Sequence, residues 1–195
     1  MRSLRAALAA SLAALALLAG CSDDDPSPGD PGSTSTPTDK PETPTSSATA
    51  KPTEPALPDA ATKATEAGAR AFITYYWDLI NYAQVTGDVK ALKRVSASSC
   101  EGCNAGIEGV REHYQSGGRV IGGAHRIAIK SLSELSTSSG NAFGFHGVVR
   151  ASHDDQTIIS SDGSEDVRGP GTDTFDVYLL WLEKAGWRLD VMEVR

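Results

Sequence analysis

Apolar side chains recur every three or four residues between positions 60 and 84, which is the spacing of one face of an α-helix. This apolar stripe consists of Phe72, Tyr75, Tyr76, Leu79, Tyr82 and Ala83, and it is widened by Ile73, Trp77 and Ile80. Asp59 can cap the start of the helix, and Gly87 can end it in the left-handed conformation that glycine adopts readily. The pattern therefore predicts one long helix over residues 60–84.

Two shorter helices are predicted next along the chain. Asp88 is placed to cap the first of them, which directs Val89, Leu92 and Val95 inward. The second covers residues 104–115 and ends at a pair of glycines. Its apolar positions are Ile107, Val110 and Tyr114.

From residue 119 onward the apolar positions alternate with a period of two, which is typical of β-strands. The predicted strands are residues 120–132, 142–152, 174–183 and 187–194, and residues 156–160 can extend the second strand beyond a kink. Gly122 and Gly123 favour a bulge or bend in the first strand. A turn is predicted at 136–141 and a polar loop at 162–173. Both faces of residues 174–183 are apolar, so this strand is predicted to be central.

The N-terminus has the pattern of a secretory signal peptide. Arg2 and Arg5 are followed by an apolar run over residues 6–19, which is too short to span a bilayer. The string Leu-Ala-Gly-Cys that ends at Cys21 resembles the bacterial lipobox. This resemblance implies that Cys21 carries a diacylglyceryl group and acyl chains such as palmitate, and that it holds the protein at the outer face of the cell membrane. The alternative is ordinary signal cleavage, which leaves Cys21 as a free thiol.

Residues 21–58 consist mainly of Asp, Ser, Thr, Pro, Gly and Lys, and nine of the ten prolines precede Asp59. Leu57 is the only large apolar residue in this stretch. Such a segment cannot bury enough surface to offset its ordering entropy. The sequence therefore predicts three parts: a signal peptide over residues 1–20, a disordered tether over 21–58 and a globular domain over 59–195.

The net charge of the chain is −7. This charge argues against a nucleic-acid partner, because such proteins need a basic surface to displace counterions from phosphates. No motif points to a cofactor. The four histidines form no HExxH or HxH pattern, so no metal site is predicted.

Helices followed by antiparallel strands predict an α+β domain with N-terminal helices packed on a curved antiparallel sheet. This order resembles the nuclear transport factor 2-like, or SnoaL-like, cone fold, and residues 178–194 (YLLWLEKAGWRLDVMEV) resemble its last hairpin. Residues 69–88 (ARAFITYYWDLINYAQVTGD), followed by CEGC, resemble an uncharacterised domain family of actinobacterial lipoproteins. The resemblance covers residues 57–195 and brings no known activity.

Cys100 and Cys103 are the two thiols that remain once Cys21 is modified. In an oxidising compartment they are expected to form a disulfide. Three interpretations are open: a structural staple between the second and third helices, a thiol–disulfide exchange site, and a zinc site. The sequence favours the staple, because the preceding segment has a helical pattern and no second Cys or His pair completes a zinc site.

Enzymes of the cone fold use an ionisable side chain in an apolar interior, where burial shifts its pKa. In this chain Tyr76, His146 and Asp190 are the candidates, although none matches a family motif and no catalytic residue is assigned. The absence of an assembled catalytic pattern favours a binding domain, whose partner is a small apolar ligand or an envelope protein. An isomerase or dehydratase acting on a small apolar molecule is the alternative function. The two apolar faces of residues 174–183 also suggest a homodimer.

Overall fold

The structure is a computed structural model that describes residues 52–135 and 143–195. The predicted signal peptide, Cys21, most of the predicted tether and the turn predicted at 136–141 lie outside these residues. The last part of the predicted tether, residues 52–58, is described. Within it, a carboxylate oxygen of Glu54 accepts a hydrogen bond from Arg94 at 2.6 Å.

A short 3-10 helix (Asp59–Thr62) precedes the α-helices of the described residues, which are α1 (Glu66–Thr86), α2 (Lys90–Val95) and α3 (Glu101–Gln115). The predicted start of the long helix is wrong. Thr65 caps α1 instead of Asp59, because its extended backbone lets the side-chain oxygen accept a hydrogen bond from the Gly68 N–H at 3.0 Å. The predicted end is confirmed, since Gly87 adopts a left-handed φ of 73°.

The strands form two antiparallel sheets. Their bounds are β1 Arg119–Gly122, β2 His125–Glu134, β3 Phe143–His153, β4 Gln156–Ile159, β5 Glu165–Arg168, β6 Gly171–Leu182 and β7 Gly186–Val194. The larger sheet has the order β2-β3-β6-β7, and the smaller one has the order β1-β4-β5. Strand β6 is an inner strand of the larger sheet, which confirms its predicted central place. The loop predicted at 162–173 is wrong, because this stretch contains β5 and the start of β6.

The predicted single curved sheet of a nuclear transport factor 2-like cone is also wrong, since the strands divide into two sheets. Gly122 and Gly123 both have positive φ angles, 73° and 70°, and they interrupt the strand between β1 and β2. The strand that pairs with β2 is interrupted at the same level, because β3 ends at His153. Beyond this break, β1 pairs with β4 and not with β3. The fold is a sheet-rich α+β arrangement.

Polar side chains of α1 satisfy backbone groups at the break between β1 and β2. The Asn81 side chain donates a hydrogen bond to the His125 carbonyl at 2.9 Å and accepts one from the His125 N–H at 2.7 Å. The side-chain amide of Gln84 donates to the Gly122 carbonyl at 2.9 Å. Backbone groups that leave a sheet ladder need such partners when they are screened from water. Helix α1 is thereby fixed against the point at which the two sheets separate.

The main core lies between α1 and the inner face of the larger sheet. The side chains of Phe72, Ile73, Tyr76 and Leu79 are buried in it with Val149, Val177, Leu179 and Leu189 of the strands. Alternate residues of β6, including Tyr178 and Leu180, lie on the outer face and are half-buried. The predicted homodimer through this outer face stays a prediction. No helix within residues 52–135 and 143–195 is long and apolar enough to cross a membrane.

Candidate functional site

An apolar cavity of about 140 Å³ lies among the three α-helices and β7. Helix α1 contributes Tyr76, Ile80 and Ala83 to its lining, and α3 contributes Cys103, Ile107 and Val110. Both sets have the spacing i, i+4, i+7, which places each set on one face of its helix. Leu92 of α2 and Met192 of β7 complete the apolar walls. The cavity therefore lies where the apolar faces of α1 and α3 approach each other without filling the space between them.

The polar groups that line this cavity are paired within the protein. The Tyr76 hydroxyl lies 2.8 Å from the Ser96 hydroxyl. Gln84 is only 8% exposed, and its side-chain amide is used by the Gly122 carbonyl. A molecule that enters the cavity therefore meets mainly carbon and sulfur atoms.

Burial raises the pKa of Tyr76 to about 12, and the hydrogen bond with Ser96 opposes this shift only in part. The phenol is consequently neutral at neutral pH. It can share a hydrogen bond there, but it does not supply an anionic base.

Replacing Tyr76 by phenylalanine is expected to flatten the loss of stability at alkaline pH. The folded protein keeps a proton up to a pKa of about 12, whereas the unfolded chain releases it near the ordinary tyrosine pKa of 10.0. The stabilisation is complete below pH 10 and is lost as the pH rises towards 12. A two-unit shift corresponds to about 2–3 kcal/mol. Urea denaturation of both proteins from pH 8 to 11.5 measures the difference, and parallel pH profiles would contradict the assignment.

A larger, polar cleft of about 650 Å³ adjoins the cavity. It lies between the first turn of α3 and the end of β7, and its ionisable lining residues are Glu101, Asp190 and Glu193. Asp190 is held in place by the Arg188 guanidinium, whose Nε and Nη2 atoms lie 2.7 and 2.8 Å from its carboxylate oxygens. The cleft thus contains three carboxylates, of which Asp190 is paired with Arg188 and the other two belong to Glu101 and Glu193.

Gly102 stands at the boundary between the cavity and the cleft, and it lines both. A Cβ atom at this position would lie 2.0 Å from the Met192 carbonyl oxygen, which is far closer than any real contact. Only glycine therefore allows the first turn of α3 to rest directly on the backbone of β7. Close by, the Ala97 N–H donates to the Leu189 carbonyl at 2.8 Å and ties the α2–α3 connection to the same strand.

The disulfide between Cys100 and Cys103 is confirmed. Its location differs from the expected staple between two helices, because Cys100 caps α3 and Cys103 lies within its first turn. The bond links the N-cap of α3 to the first turn of the same helix. Helix α3 begins at Glu101, three residues earlier than the pattern predicts. Cys100 is 1% exposed and Cys103 is 4% exposed, so little of either sulfur is open to an attacking thiol. Residues 52–135 and 143–195 contain no group of three or more metal-ligating side chains near enough to share an ion.

His146 lies on the outer face of the larger sheet, since the residues on either side of it in β3 point into the core. Its Nε2 atom is 2.6 Å from Oδ1 of Asp176, and its ring stacks on Tyr178 with centroids 4.6 Å apart. Hydrogen bonds from Arg195, and secondarily from His146, hold the pKa of Asp176 below its ordinary value. This cluster forms a surface network that is separate from the cavity.

The structure therefore does not bring the three candidate residues together. Tyr76 lines the cavity, Asp190 lines the adjoining cleft, and the sheet separates His146 from both the cavity and α1. Sequence reasoning missed Gln84, although its position eight residues after Tyr76 places it on the same helix face. It also missed Gly102, whose role depends on a contact with a strand 90 positions away in the chain.

The fold has partial likenesses among solved structures. The intermembrane space region of the chloroplast protein ARC6 is 16% identical, with a TM-score of 0.41 over 67% of this chain and 96% of that one. Aln2 from a Streptomyces species is 14% identical, with a TM-score of 0.40 over 68% and 93%. A periplasmic fragment of TraM is 10% identical, with a TM-score of 0.27 over 64% and 82%. Likenesses at this level assign no function to this chain.

No functionally curated protein matches the sequence. A family of unknown function, DUF6318, matches residues 38–193, which include all the helices and almost all the strands described above. The match covers most of the chain and agrees with the predicted resemblance to an uncharacterised domain family. The chain therefore belongs to the family of unknown function DUF6318.

Proposed function

We propose that this protein is an extracytoplasmic lipoprotein, anchored to the outer face of the cell membrane, whose domain binds a small apolar ligand in the cavity between α1, α2, α3 and β7. The apolar lining of this cavity carries the proposal. Its volume of about 140 Å³ is close to that of apolar cavities that accept a molecule of benzene, roughly 150 Å³. The ligand is therefore a six-carbon ring or a branched chain of similar size.

The proposed location rests on the N-terminal sequence. The basic residues Arg2 and Arg5, the apolar run over residues 6–19 and the small residues before Cys21 support cleavage and lipid attachment at that cysteine. Two or more acyl chains make such anchoring stable, whereas one chain does not. The segment 21–58 would then separate the domain from the membrane. A disulfide between Cys100 and Cys103 suits an oxidising compartment.

The chemistry of the cavity supports binding over the alternative of an isomerase or dehydratase. Such reactions need a group in contact with the ligand that exchanges a proton near the working pH. Tyr76 stays neutral and shares its hydroxyl with Ser96. His146 and Asp190 do not line the cavity.

The experiment that tests this proposal is the binding of toluene to the full-length protein, measured by calorimetry and by the shift in melting temperature. Gly106→Leu is the blocking variant, because Gly106 lines the cavity and a Cβ there meets no atom within 4 Å. The added side chain is expected to reduce the affinity at least about tenfold by occupying the space of the ligand.

Gly109→Leu is the matched control on the same helix. A Cβ at Gly109 also meets no atom within 4 Å, and this residue does not line the cavity. The control should bind toluene as the wild type does. Absence of toluene binding to the wild type, or equal losses in both variants, would contradict the proposed function.

A further inference from the structure

We infer that the ligand of the apolar cavity carries one hydrogen-bond donor, such as a hydroxyl group on a six-carbon ring, and that Oε1 of Gln84 accepts its hydrogen bond. This inference rests on the proposed function, because it concerns the same cavity. It adds the chemical class of the ligand, which is a small neutral alcohol or phenol. It also makes Gln84 the residue that selects this class.

Gln84 lies on the same face of α1 as Tyr76, Ile80 and Ala83, and it lines the cavity with them. Only 8% of this residue is exposed, so its side-chain amide is more than nine-tenths buried with the rest of it. Burying an amide is costly unless hydrogen bonds satisfy both its nitrogen and its oxygen. The partners of these two atoms therefore indicate what the cavity can accept.

The nitrogen of the Gln84 side chain is paired, whereas its oxygen is not. Nε2 donates a hydrogen bond to the Gly122 carbonyl at 2.9 Å. Within residues 52–135 and 143–195, Oε1 accepts no hydrogen bond, although every side-chain nitrogen or oxygen of this part of the chain that is sealed from solvent has a partner. Oε1 is therefore not sealed, and the open space that Gln84 lines is the apolar cavity.

Contacts at both ends of Gln84 hold the amide in this orientation. The backbone carbonyl of Gln84 accepts a hydrogen bond from the Tyr114 hydroxyl at 2.7 Å. At the other end, a Cβ atom at Gly123 would lie 2.7 Å from Nε2, so this glycine leaves the room that the amide nitrogen occupies. An acceptor that is already fixed loses little conformational entropy when a ligand binds. Oε1 is thus prepared to receive a donor at one place in the cavity wall.

The surroundings of Oε1 favour a neutral donor over a charged one. None of the described residues that line the cavity is Asp, Glu, Lys, Arg or His. An ammonium group would lose its hydration there without meeting a carboxylate. A hydroxyl group loses less hydration, and its hydrogen bond to Oε1 compensates for that loss. A group that only accepts hydrogen bonds, such as an aldehyde, would leave Oε1 without a donor.

Calorimetric titration of the full-length protein with phenol, toluene and benzaldehyde tests the inference. The three probes share the six-carbon ring and differ in the attached group, which is a hydrogen-bond donor, an apolar methyl group or an acceptor. We expect phenol to bind at least as tightly as toluene, although its hydroxyl gives up hydrogen bonds to water. Benzaldehyde should bind more weakly than phenol.

Gln84→Met removes the acceptor and keeps the length of the side chain. The affinity for phenol should fall at least about fivefold relative to the affinity for toluene. Because this ratio compares two ligands in one protein, a disturbance caused by losing the bond to Gly122 lowers both affinities and cancels. Gln115→Met is the matched control, since Gln115 is exposed at the end of α3 and does not line the cavity. The control should keep the wild-type ratio.

The probe series on the wild type decides the inference even where Gln84→Met does not fold. Weaker binding of phenol than of toluene or benzaldehyde would overturn it and leave the proposed function intact. An unchanged ratio in folded Gln84→Met would have the same meaning. Absence of binding by both toluene and phenol would instead overturn the proposed function.

Discussion

Replacing Phe72 by alanine is expected to lower the free energy of unfolding by about 3–5 kcal/mol, which is the usual cost of removing a large buried aromatic ring. Phe72 is 1% exposed, and its ring centroid lies 6.5 Å from that of Tyr75 and 6.3 Å from that of Tyr76. The substitution removes both contacts and leaves a cavity where α1 packs on the sheet. A domain at the lower end of the ordinary stability range of about 5–15 kcal/mol would keep almost none of its stability.

Urea denaturation measures this effect as a shift of the midpoint at constant slope. Val85→Ala is the control, because Val85 lies in the same helix and is 44% exposed. We expect it to change the stability by no more than about 0.5 kcal/mol. A loss below about 1 kcal/mol for Phe72→Ala would mean that α1 does not bury this face against the larger sheet.

Gly102→Ala and Gly106→Ala are expected to change the stability in opposite directions, although both sit on α3. Alanine at 102 would place a Cβ 2.0 Å from the Met192 carbonyl oxygen, and a backbone atom cannot turn away as a side chain can. The helix must then shift from β7, which should cost about 1–3 kcal/mol and should outweigh the better helix propensity of alanine. At 106 no atom lies within 4 Å of the new Cβ, so only the gain in propensity, up to about 1 kcal/mol, is expected.

The midpoints of urea denaturation of the two variants, measured beside the wild type, show directly whether each substitution stabilises or destabilises the protein. Equal stabilisation by both substitutions would show that α3 does not begin in contact with β7. Because Gly102 also borders the cavity and the cleft, the binding of toluene to Gly102→Ala reports separately whether the shift disturbs the site.

The local patterns predict the type and order of most elements correctly. The apolar stripe around Phe72 identifies α1, since a helical face is recorded in spacings of three and four residues. Gly87 ends that helix as expected. The strand patterns of residues 174–183, which are apolar on both faces, and of residues 187–194 identify the pair β6 and β7. The motif around Cys100 and Cys103 predicts the disulfide, because the pairing of two nearby cysteines requires no knowledge of distant parts of the chain.

The division into two sheets could not be predicted from these patterns. Gly122 and Gly123 indicate a bend, but a bend does not specify which strand pairs beyond it. Pairing depends on where the partner strand is also interrupted, and that interruption lies about 30 residues later, after His153. The resemblance to the cone fold led to the same wrong prediction, because a single curved sheet and two separate sheets can have the same order of helices and strands along the chain.

The sequence alone determined the family, the helical and strand periodicities, the disulfide pair and the expectation of a leader before Cys21. Tertiary structure alone decided that Tyr76 faces a cavity, that His146 faces away from it, and that Gly102 separates this cavity from an acidic cleft. The physical reason is the range of the interactions. Periodicity and capping act within a few residues of the chain, whereas a cavity exists only where elements distant in sequence meet without filling the space between them.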